Sequence, residues 1–306
     1  MSTTTIAQGI APGAIRTNPR PPAGFDPRGA SPLELLHYGM PRRPDPEVMP
    51  QLAARWDQVF GRKLTYITPA FQPMKELLPG IGEMDRQLDA GTSNSIWSGS
   101  VVTTTTTDKF TSITAGWNVA DVAPPADAAG SWWSVSWIGI DGYGGSDVCQ
   151  IGTVQAVTQA ANGSISKSVY AWTEWYPQSW QAISNFPVNF GDDISALLCI
   201  QSPTEASFNM VNLTTGAQTG FSFAAPAGTT LAGNTAEWIV ERPGINGSTS
   251  QLPDFGDVYF DSATASTSLS QTIDAGTGTL LNMVEGSATV ATTTEENSTL
   301  IKIAYT

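Results

Sequence analysis

The fold class is decided by residues 132–142, which read WWSVSWIGIDG. Aromatic and β-branched side chains dominate this stretch, and these residue types favour the pleated, half-buried surface of a strand. The run stops at Asp141 and Gly142, a pair of residues typical of a tight turn. The stretch therefore predicts one strand of a sheet followed by a turn.

The same texture continues outward from this stretch, from Ser93 to the C-terminus. Strand-like runs alternate with turns of Gly, Asp, Asn and Pro, almost without the periodicity of amphipathic helices. The clearest further runs are Val101 to Thr107, Val169 to Tyr176, Ile194 to Ile200, Ala236 to Glu241, Asp257 to Phe260 and Leu300 to Tyr305. Many short strands with frequent turns predict an all-β fold, either a sandwich or a jelly roll.

The first 92 residues differ from the rest, and we predict a leader at residues 1–92 ahead of a β-sandwich domain at residues 93–306. Prolines punctuate the first 45 residues, where they block both helix and central strand. Charge separates the two parts as well. Residues 1–90 hold ten of the fourteen Lys and Arg, whereas residues 91–306 hold four basic and eighteen acidic side chains.

Short helices are expected inside the otherwise irregular leader. Ser31, Pro32 and Glu34 form a capping-box pattern that predicts one short helical turn. A second helix is predicted from about Pro46 to Gly61, because its apolar residues recur at helical spacing. Residues 62–92 are expected to form an irregular linker.

The net charge of −13 excludes some classes of function. An acidic chain is a poor nucleic-acid binder, because nucleic acids require basic surface. The acidic bias favours adaptation to low pH, where carboxylates take up protons, with simple solubility as the alternative. There is no apolar run long enough to span a membrane, and no ordinary signal peptide is visible near the N-terminus.

The catalytic groups available to the β-domain are few. The single histidine, His37, lies in the leader, so a Ser-His-Asp or Cys-His site in the β-domain is excluded. Clustered His and Cys ligands are missing as well, so no metal site is predicted. Cys149 and Cys199 are expected to be buried thiols, although a single disulfide stays open. Carboxylates, amides and aromatic rings remain.

Strand parity shows which of these groups can meet. Trp137 and Asp141 share one face of their strand, and Glu237 and Glu241 share one face of another. A third strand places on one face Tyr170, Trp172, Glu174 and Tyr176. Carboxylates on strands are usually solvated surface groups. Beside aromatic rows they also suit a concave surface that binds an extended polymer, either peptide or glycan.

Seven segments occur in a characteristic order along the chain. They are Asn94 to Gly99, Trp137 to Gly142, Val148 to Gly152, Tyr170 to Pro177, Gly191-Asp192, Asn212 to Gly216 and Asn234 to Pro243. Each segment alone is a weak signal, but the ordered set resembles the eqolisins, a family of glutamic peptidases. The resemblance implies a jelly-roll, concanavalin-like sandwich of two antiparallel seven-stranded sheets, preceded by the irregular leader.

The resemblance also implies the residues of a catalytic site. The family's catalytic glutamine falls on Gln150 and its catalytic glutamate on Glu241, with Glu237, further along the same face, as the second choice. The residues expected to bind substrate are Trp137, Asp141, Tyr170, Trp172, Glu174 and Glu237. No metal or cofactor is implied, and the expected partners are polypeptide substrates acted on by a monomer.

The implied activity is that of an acid-acting endopeptidase. Glu241 would serve first as general base to a water and then as general acid, while the Gln150 amide would donate to the developing oxyanion. In family terms the leader is a prosegment that docks on the acidic domain near neutral pH; a tail or helical cap without inhibitory role is the alternative. An extracellular or otherwise acidic setting is expected from the family.

Two residues depart from the family pattern. Ile151 stands where the family has threonine, and Val154 stands where it has aspartate. A different substrate preference is therefore expected, and loss of activity stays an alternative. Two other functions are kept open: a catalytically silent carbohydrate- or peptide-binding sandwich, and a surface or structural β-protein. The joint presence of Gln150 and Glu241 favours the peptidase, since a binding protein needs neither.

Overall fold

The computed structural model describes residues 10–74, 93–104, 107–126, 128–145 and 147–306. The helices are α1 at Pro32–His37 and α2 at Pro50–Phe60, with 3-10 turns at Pro27–Gly29 and Ala275–Thr277. Among the described residues, no helix is long and apolar enough to cross a membrane.

Strands make up most of the remaining structure, as predicted. In chain order they are β1 Ile15–Thr17, β2 Thr65–Tyr66, β3 Phe71–Pro73, β4 Ser93–Asn94, β5 Trp97–Thr103, β6 Phe110–Asn118, β7 Gly130–Ile140, β8 Cys149–Gln159, β9 Ile165–Trp175, β10 Gln181–Ile183, β11 Asp193–Ser202, β12 Glu205–Asn212, β13 Ala217–Ala224, β14 Thr235–Glu241, β15 Gly244–Ile245, β16 Ser248–Thr249, β17 Asp257–Thr267, β18 Thr272–Asp274, β19 Thr279–Glu285, β20 Ala288–Asn297 and β21 Leu300–Tyr305.

The long strands form two layers. The layer that we call the cleft sheet has the order β10–β9–β8–β7–β14–β5, and the layer that we call the back sheet has the order β13–β12–β11–β6–β17–β21–β20. Strand β19 pairs with β5 through one half and with β20 through the other, so it joins the two layers along one side. Among the strands that the structure describes, the pairs are antiparallel apart from two short parallel ones, β2 with β13 and β4 with β19.

The core lies between the two sheets. Alternate residues of the cleft sheet, such as Ile138, Ile140 and Trp238, point inward and pack against Trp117 and other residues of the back sheet. The residues between them, such as Trp137, form a second buried cluster on the outer face of the cleft sheet. Both faces of this sheet are therefore buried, and the outer one carries the predicted site residues.

The leader is more regular than expected, and it packs against the back sheet. Its helix α2 buries Trp56 and Phe60 against Leu35 of α1 and Val211 of β12. Capping of α1 by Ser31 and Glu34 is confirmed. The prediction for α2 began four residues too early, because Asp45 organises a turn there by accepting the Glu47 N–H, and the helix starts at Pro50.

The expectation of an irregular linker at residues 62–92 is wrong for its described part. Strand β2 pairs with β13, beside β1, and β3 pairs with β10. These strands are too short and too polar to show an alternating pattern, and they form because two sheet edges stand ready to pair with them. Residues 75–92 of the predicted linker lie outside the described residues.

Candidate active site

Four neighbouring strands of the cleft sheet bring one glutamine and two glutamates into a single row. Gln150 on β8 lies opposite both Glu174 on β9 and Gly139 on β7, and Gly139 in turn lies opposite Glu237 on β14. The Gln150 amide donates through Nε2 to Glu174 Oε2 at 2.5 Å. All three polar side chains are buried, so the row is a polar strip on a covered face.

Glu241 is the last residue of β14 and lies on the same face as Glu237 and Ile239. Trp137 holds its carboxylate in place. The indole Nε1 of Trp137 donates to Glu241 Oε2 at 2.8 Å. The ring can lie across the sheet because two neighbours are glycines: a Cβ on Gly139 would lie 2.8 Å from Trp137 Cζ3, and one on Gly152 would lie 2.7 Å from Trp137 Cβ. Trp137 thus forms a floor between the row of Gln150 and the carboxylate of Glu241.

Exposure separates the three glutamates. Glu237 is 0% exposed and Glu174 is 2% exposed, whereas Glu241 is only half-buried. Tyr143 donates its backbone N–H to Glu237 Oε1 at 3.3 Å, which holds the turn after β7 close to that side chain. Of these three carboxylates, Glu241 is therefore the most accessible to solvent.

The register also sets the separation of Gln150 from each glutamate. Glu237 is the nearer of the two on β14, since it shares the row of Gln150. Glu241 lies two strands across and four residues along, which corresponds to about 16 Å between its Cα atom and that of Gln150.

Asp141 does not line the cleft, although strand parity placed it on the face of Trp137. It follows the last residue of β7 in a left-handed conformation with φ of 63°, which turns its side chain away from the alternating pattern. Its carboxylate accepts backbone N–H bonds from Ala232 at 2.7 Å, Gly233 at 2.9 Å and Asn234 at 2.7 Å. Asp141 therefore fastens the loop that leads into β14 and helps to position its glutamates.

Comparison with known proteins places this geometry in context. A sequence model of the peptidase A4 family matches residues 95–305, the greater part of the chain. This chain belongs to the peptidase A4 family. The resemblance to eqolisins seen in the sequence is thereby confirmed.

One curated relative and several solved structures share the fold. Aspergillopepsin-2 of Aspergillus niger is 30% identical over 170 residues, which are 56% of this chain and 58% of that protein, so the match spans less than two thirds of that relative. The crystal structure of scytalido-glutamic peptidase with a transition state analog inhibitor has a TM-score of 0.58 at 22% identity and covers 69% of this chain and 98% of that one. Aspergilloglutamic peptidase from Aspergillus niger has a TM-score of 0.52 at 26% identity and covers 57% and 99%.

The aromatic wall of this peptidase A4 cleft is larger than the sequence alone indicated. Trp172 stacks on Trp180 with ring centroids 3.7 Å apart and planes 10° apart. Tyr170 packs against the same outer cluster. Trp97 meets Trp137 edge to face at 5.2 Å. Trp180 was missed because it follows a turn rather than standing in an alternating strand; its signal was a tryptophan close after Pro177.

The two departures from the family pattern occupy different faces. Ile151 is buried in the core between the sheets, on the face opposite to Gln150, so it does not contact the cleft. Val154 belongs to the outer cluster and lies opposite Val135 and Tyr170, in the row of Glu241. Val154 is therefore the departure that lies on the face of the candidate catalytic residues, where its side chain is fully buried.

The cysteines take no part in this site, and both are free thiols. Burial raises the pKa of the Cys149 thiol well above its ordinary value, with the charges of Asp141 and Glu174 adding to the effect. Burial also raises the pKa of Cys199 to about 12. Within the described residues, no group of three or more His, Cys, Asp and Glu side chains could hold a metal ion.

Proposed function

We propose that this member of the peptidase A4 family is an acid-acting glutamic endopeptidase with Gln150 and Glu241 as its catalytic residues. The observation that carries the proposal is a half-buried carboxylate, Glu241, oriented by the Trp137 indole on the same sheet face as a fixed amide, Gln150. Polypeptides are the substrates implied by the family. A monomer in an extracellular, acidic setting is part of the proposal.

Glu241 suits the role of a general base followed by a general acid. Its carboxylate would take a proton from a water as that water attacks the peptide carbonyl, and it would then return the proton to the leaving amine. Trp137 holds one carboxylate oxygen at 2.8 Å, which fixes the direction in which Glu241 faces the cleft. A fixed base needs little reorganisation as the reaction proceeds.

Gln150 suits the role of oxyanion donor. A carboxamide has two N–H groups on its nitrogen, and Glu174 accepts a hydrogen bond from the Gln150 nitrogen at 2.5 Å. This bond orients the amide, so that its other N–H can donate to the developing oxyanion without carrying a charge. Glu174 is thus proposed as a positioning residue rather than as the base.

Acid activity follows from the number of carboxylates on this face. Glu174, Glu237 and Glu241 share it, and two of them are buried. Repulsion among carboxylates is relieved as they take up protons, and a protonated acid is needed for leaving-group departure. We therefore place the working range on the acid side of neutrality.

The leader is proposed as an inhibitory prosegment of this enzyme. Its charges meet those of the back sheet: Arg16 pairs with Glu205 at 3.0 Å, and Arg55 pairs with Asp261 at 3.2 Å. Acid removes the negative partners in such pairs, which favours release of the leader. Activation at low pH would follow from the same protonation that supports catalysis.

The test is cleavage of denatured haemoglobin between about pH 2 and 7 in the presence of pepstatin, where a peptidase of this type is expected to peak on the acid side. Glu241→Gln should lower kcat by about 10²–10⁴-fold, as for loss of a general base. Gln150→Ala should lower it by about 10²–10³-fold, as for loss of an oxyanion donor. Glu295→Gln, an exposed glutamate of β20, is the matched control.

Two other results would change the assignment. If Glu237→Gln abolishes cleavage while Glu241→Gln does not, the buried glutamate of the Gln150 row is the base. If no cleavage occurs even after acid release of the leader, the alternative is a silent sandwich that binds carbohydrate or peptide. Binding of oligosaccharides or peptides to that protein would then be measured directly.

A further inference from the structure

Strand β3 of the leader adds itself to the free edge of the cleft sheet. Residues Phe71–Pro73 pair antiparallel with residues 181–183 of β10. The ladder is extended at both ends, since Met74 donates its N–H to Trp180 O at 2.9 Å and Ser184 donates its N–H to Ala70 O at 2.8 Å. The edge therefore holds an extended peptide over five residues, 70–74, by its main chain.

The side chain of Asn185 forms two further hydrogen bonds to the main chain of this leader segment, beyond the end of the ladder. Its Oδ1 accepts the N–H of Ala70 at 2.8 Å, and its Nδ2 donates to the carbonyl of Thr68 at 2.9 Å. A carboxamide used in this way reproduces the donor and acceptor of a neighbouring strand. Because both hydrogen bonds are to main-chain atoms, they do not select for particular side chains in the bound peptide.

The bound strand leads directly to the catalytic row. The pair formed by Gln181 and Thr173 places Trp180, the residue before β10, level with Glu174. Met74 is bonded to Trp180, and its side chain packs against the outer cluster of the cleft sheet. The strand thus arrives at the end of the row that contains Gln150.

Two side chains of the bound strand enter apolar surroundings on opposite faces. Phe71 packs into the core at the open side of the sandwich and meets Phe221 edge to face at 4.9 Å. Met74, three residues later, faces the cleft. Gln72 and Pro73 between them are exposed. The edge therefore accepts an extended chain with apolar side chains at these two positions and tolerates any residue between.

We infer that the edge of β10, with Asn185, is a binding site for an extended segment of the polypeptide substrate, and that β3 occupies it as the leader's own stand-in. The inference rests on the proposed function and on departure of the leader at acid pH. Strand addition supplies affinity through main-chain hydrogen bonds, while pockets for alternate side chains supply preference. The edge would favour long, unfolded substrates over short peptides, which cannot reach from the catalytic row to β10.

The experiment compares two substrates on the full chain after incubation in acid. One is denatured casein, and the other is a short fluorogenic peptide. The measured quantity is the ratio of kcat/KM for the long substrate to that for the short one. Asn185→Leu should lower this ratio about tenfold, because two hydrogen bonds to the long substrate are lost. Asn162→Leu, an exposed asparagine in the β8–β9 turn whose side chain also accepts a backbone N–H, should leave the ratio unchanged.

A second measurement uses a synthetic peptide of residues 65–74 as a competitor. It should inhibit casein cleavage in the wild type, inhibit about tenfold more weakly in Asn185→Leu, and spare the short substrate, since it fills the edge and not the catalytic row. Equal inhibition of both substrates, or a ratio that Asn185→Leu leaves unchanged, would overturn the inference.

Failure of the proposed function gives a different result. If the wild type cleaves neither substrate, the peptidase assignment fails, and binding of a fluorescent 65–74 peptide to the acid-treated chain decides on the edge alone. Binding that weakens about tenfold in Asn185→Leu supports the strand site as a peptide-binding edge. Absence of binding overturns it. Circular dichroism of both asparagine variants excludes unfolding as the cause.

Discussion

The outer faces of the two sheets of this protein are covered in different ways. The back sheet is covered by the leader, through the apolar contacts of Trp56 and through ion pairs such as Arg55 with Asp261. The outer face of the cleft sheet carries the cluster around Trp137, against which Met74 of the leader and Tyr143 of the turn after β7 pack. Gln150 and Glu241 lie on this same face. The leader's contacts with the back sheet include none of the proposed catalytic residues, whereas the outer cluster of the cleft sheet contains Trp137, which holds Glu241. The proposed chemistry and most of the leader's contacts therefore lie on different sheets of one sandwich.

The largest effect is expected from Trp56→Ala, which attacks the cover of the back sheet. Truncation of a buried tryptophan costs about 3–5 kcal/mol, and here the loss should fall on docking of the leader. Limited proteolysis at neutral pH should then remove the leader while the β-sandwich stays intact. If the whole chain unfolds in one transition instead, the leader is an integral part of the fold and the comparison breaks down.

The next largest effect is expected from one of two matched glycine substitutions, one in the cleft sheet and one in the back sheet. Gly139→Ala would place a Cβ 2.8 Å from Trp137 Cζ3, and Gly220→Ala would place one 2.5 Å from the carbonyl oxygen of Gly39 in the leader. The first should lower kcat about a hundredfold, because it displaces the floor beneath Glu241. The second should loosen the leader and leave kcat of the activated enzyme unchanged. Equal kcat values for the two variants would contradict this division.

A smaller effect is expected from Trp137→Phe, which removes the indole N–H but keeps an aromatic ring. Loss of a hydrogen bond to a charged group corresponds to about a tenfold fall in kcat. The control is Trp238→Phe on the inner face, which loses the bond from Trp238 Nε1 to Thr114 O. That variant should lower the melting temperature without changing kcat. A fall in kcat for both would show that general packing, not the orientation of Glu241, is responsible.

The smallest effect concerns acid and the leader. The hydrogen bond from Arg43 holds the pKa of Asp57 below its ordinary value of 3.8. A lowered pKa in the folded state means that this contact stabilises the leader above about pH 3.8 and that its contribution declines as the pH falls through the lowered value. Trp56 fluorescence, followed from neutral pH downward, should report this loss. In Asp57→Asn that part of the pH dependence should vanish, and an unchanged profile would contradict the assignment.

The main strands could be predicted from the sequence because their physical causes are local. Period-two alternation and turn residues predicted strands such as β7 and β14, and a capping box predicted α1. Ordered motifs identified Gln150 and the glutamate candidates. Parity placed Glu237 and Glu241 on one face of their strand, and in the structure that face also carries Trp137, which donates a hydrogen bond to Glu241.

Other features depend on partners distant in sequence and could not be predicted. Strands β1, β2 and β3 form only because edges elsewhere accept them. Asp141 leaves the alternation through a positive φ that parity does not reveal. The exposure that distinguishes Glu241 from Glu237 depends on the turn at Tyr143, since both residues share one face of one strand.

Strand β19 pairs with strands of both sheets and so closes the sandwich along one side. On the opposite side, the edge strands of the two sheets are β13 and β10, and the leader pairs with both. Strands β1 and β2 pair with β13, and β3 pairs with β10. The leader therefore covers the edges of both sheets on the side that β19 does not close. Removal of the leader would leave the unpaired edge strands of two sheets side by side, and such edges are sites of self-association.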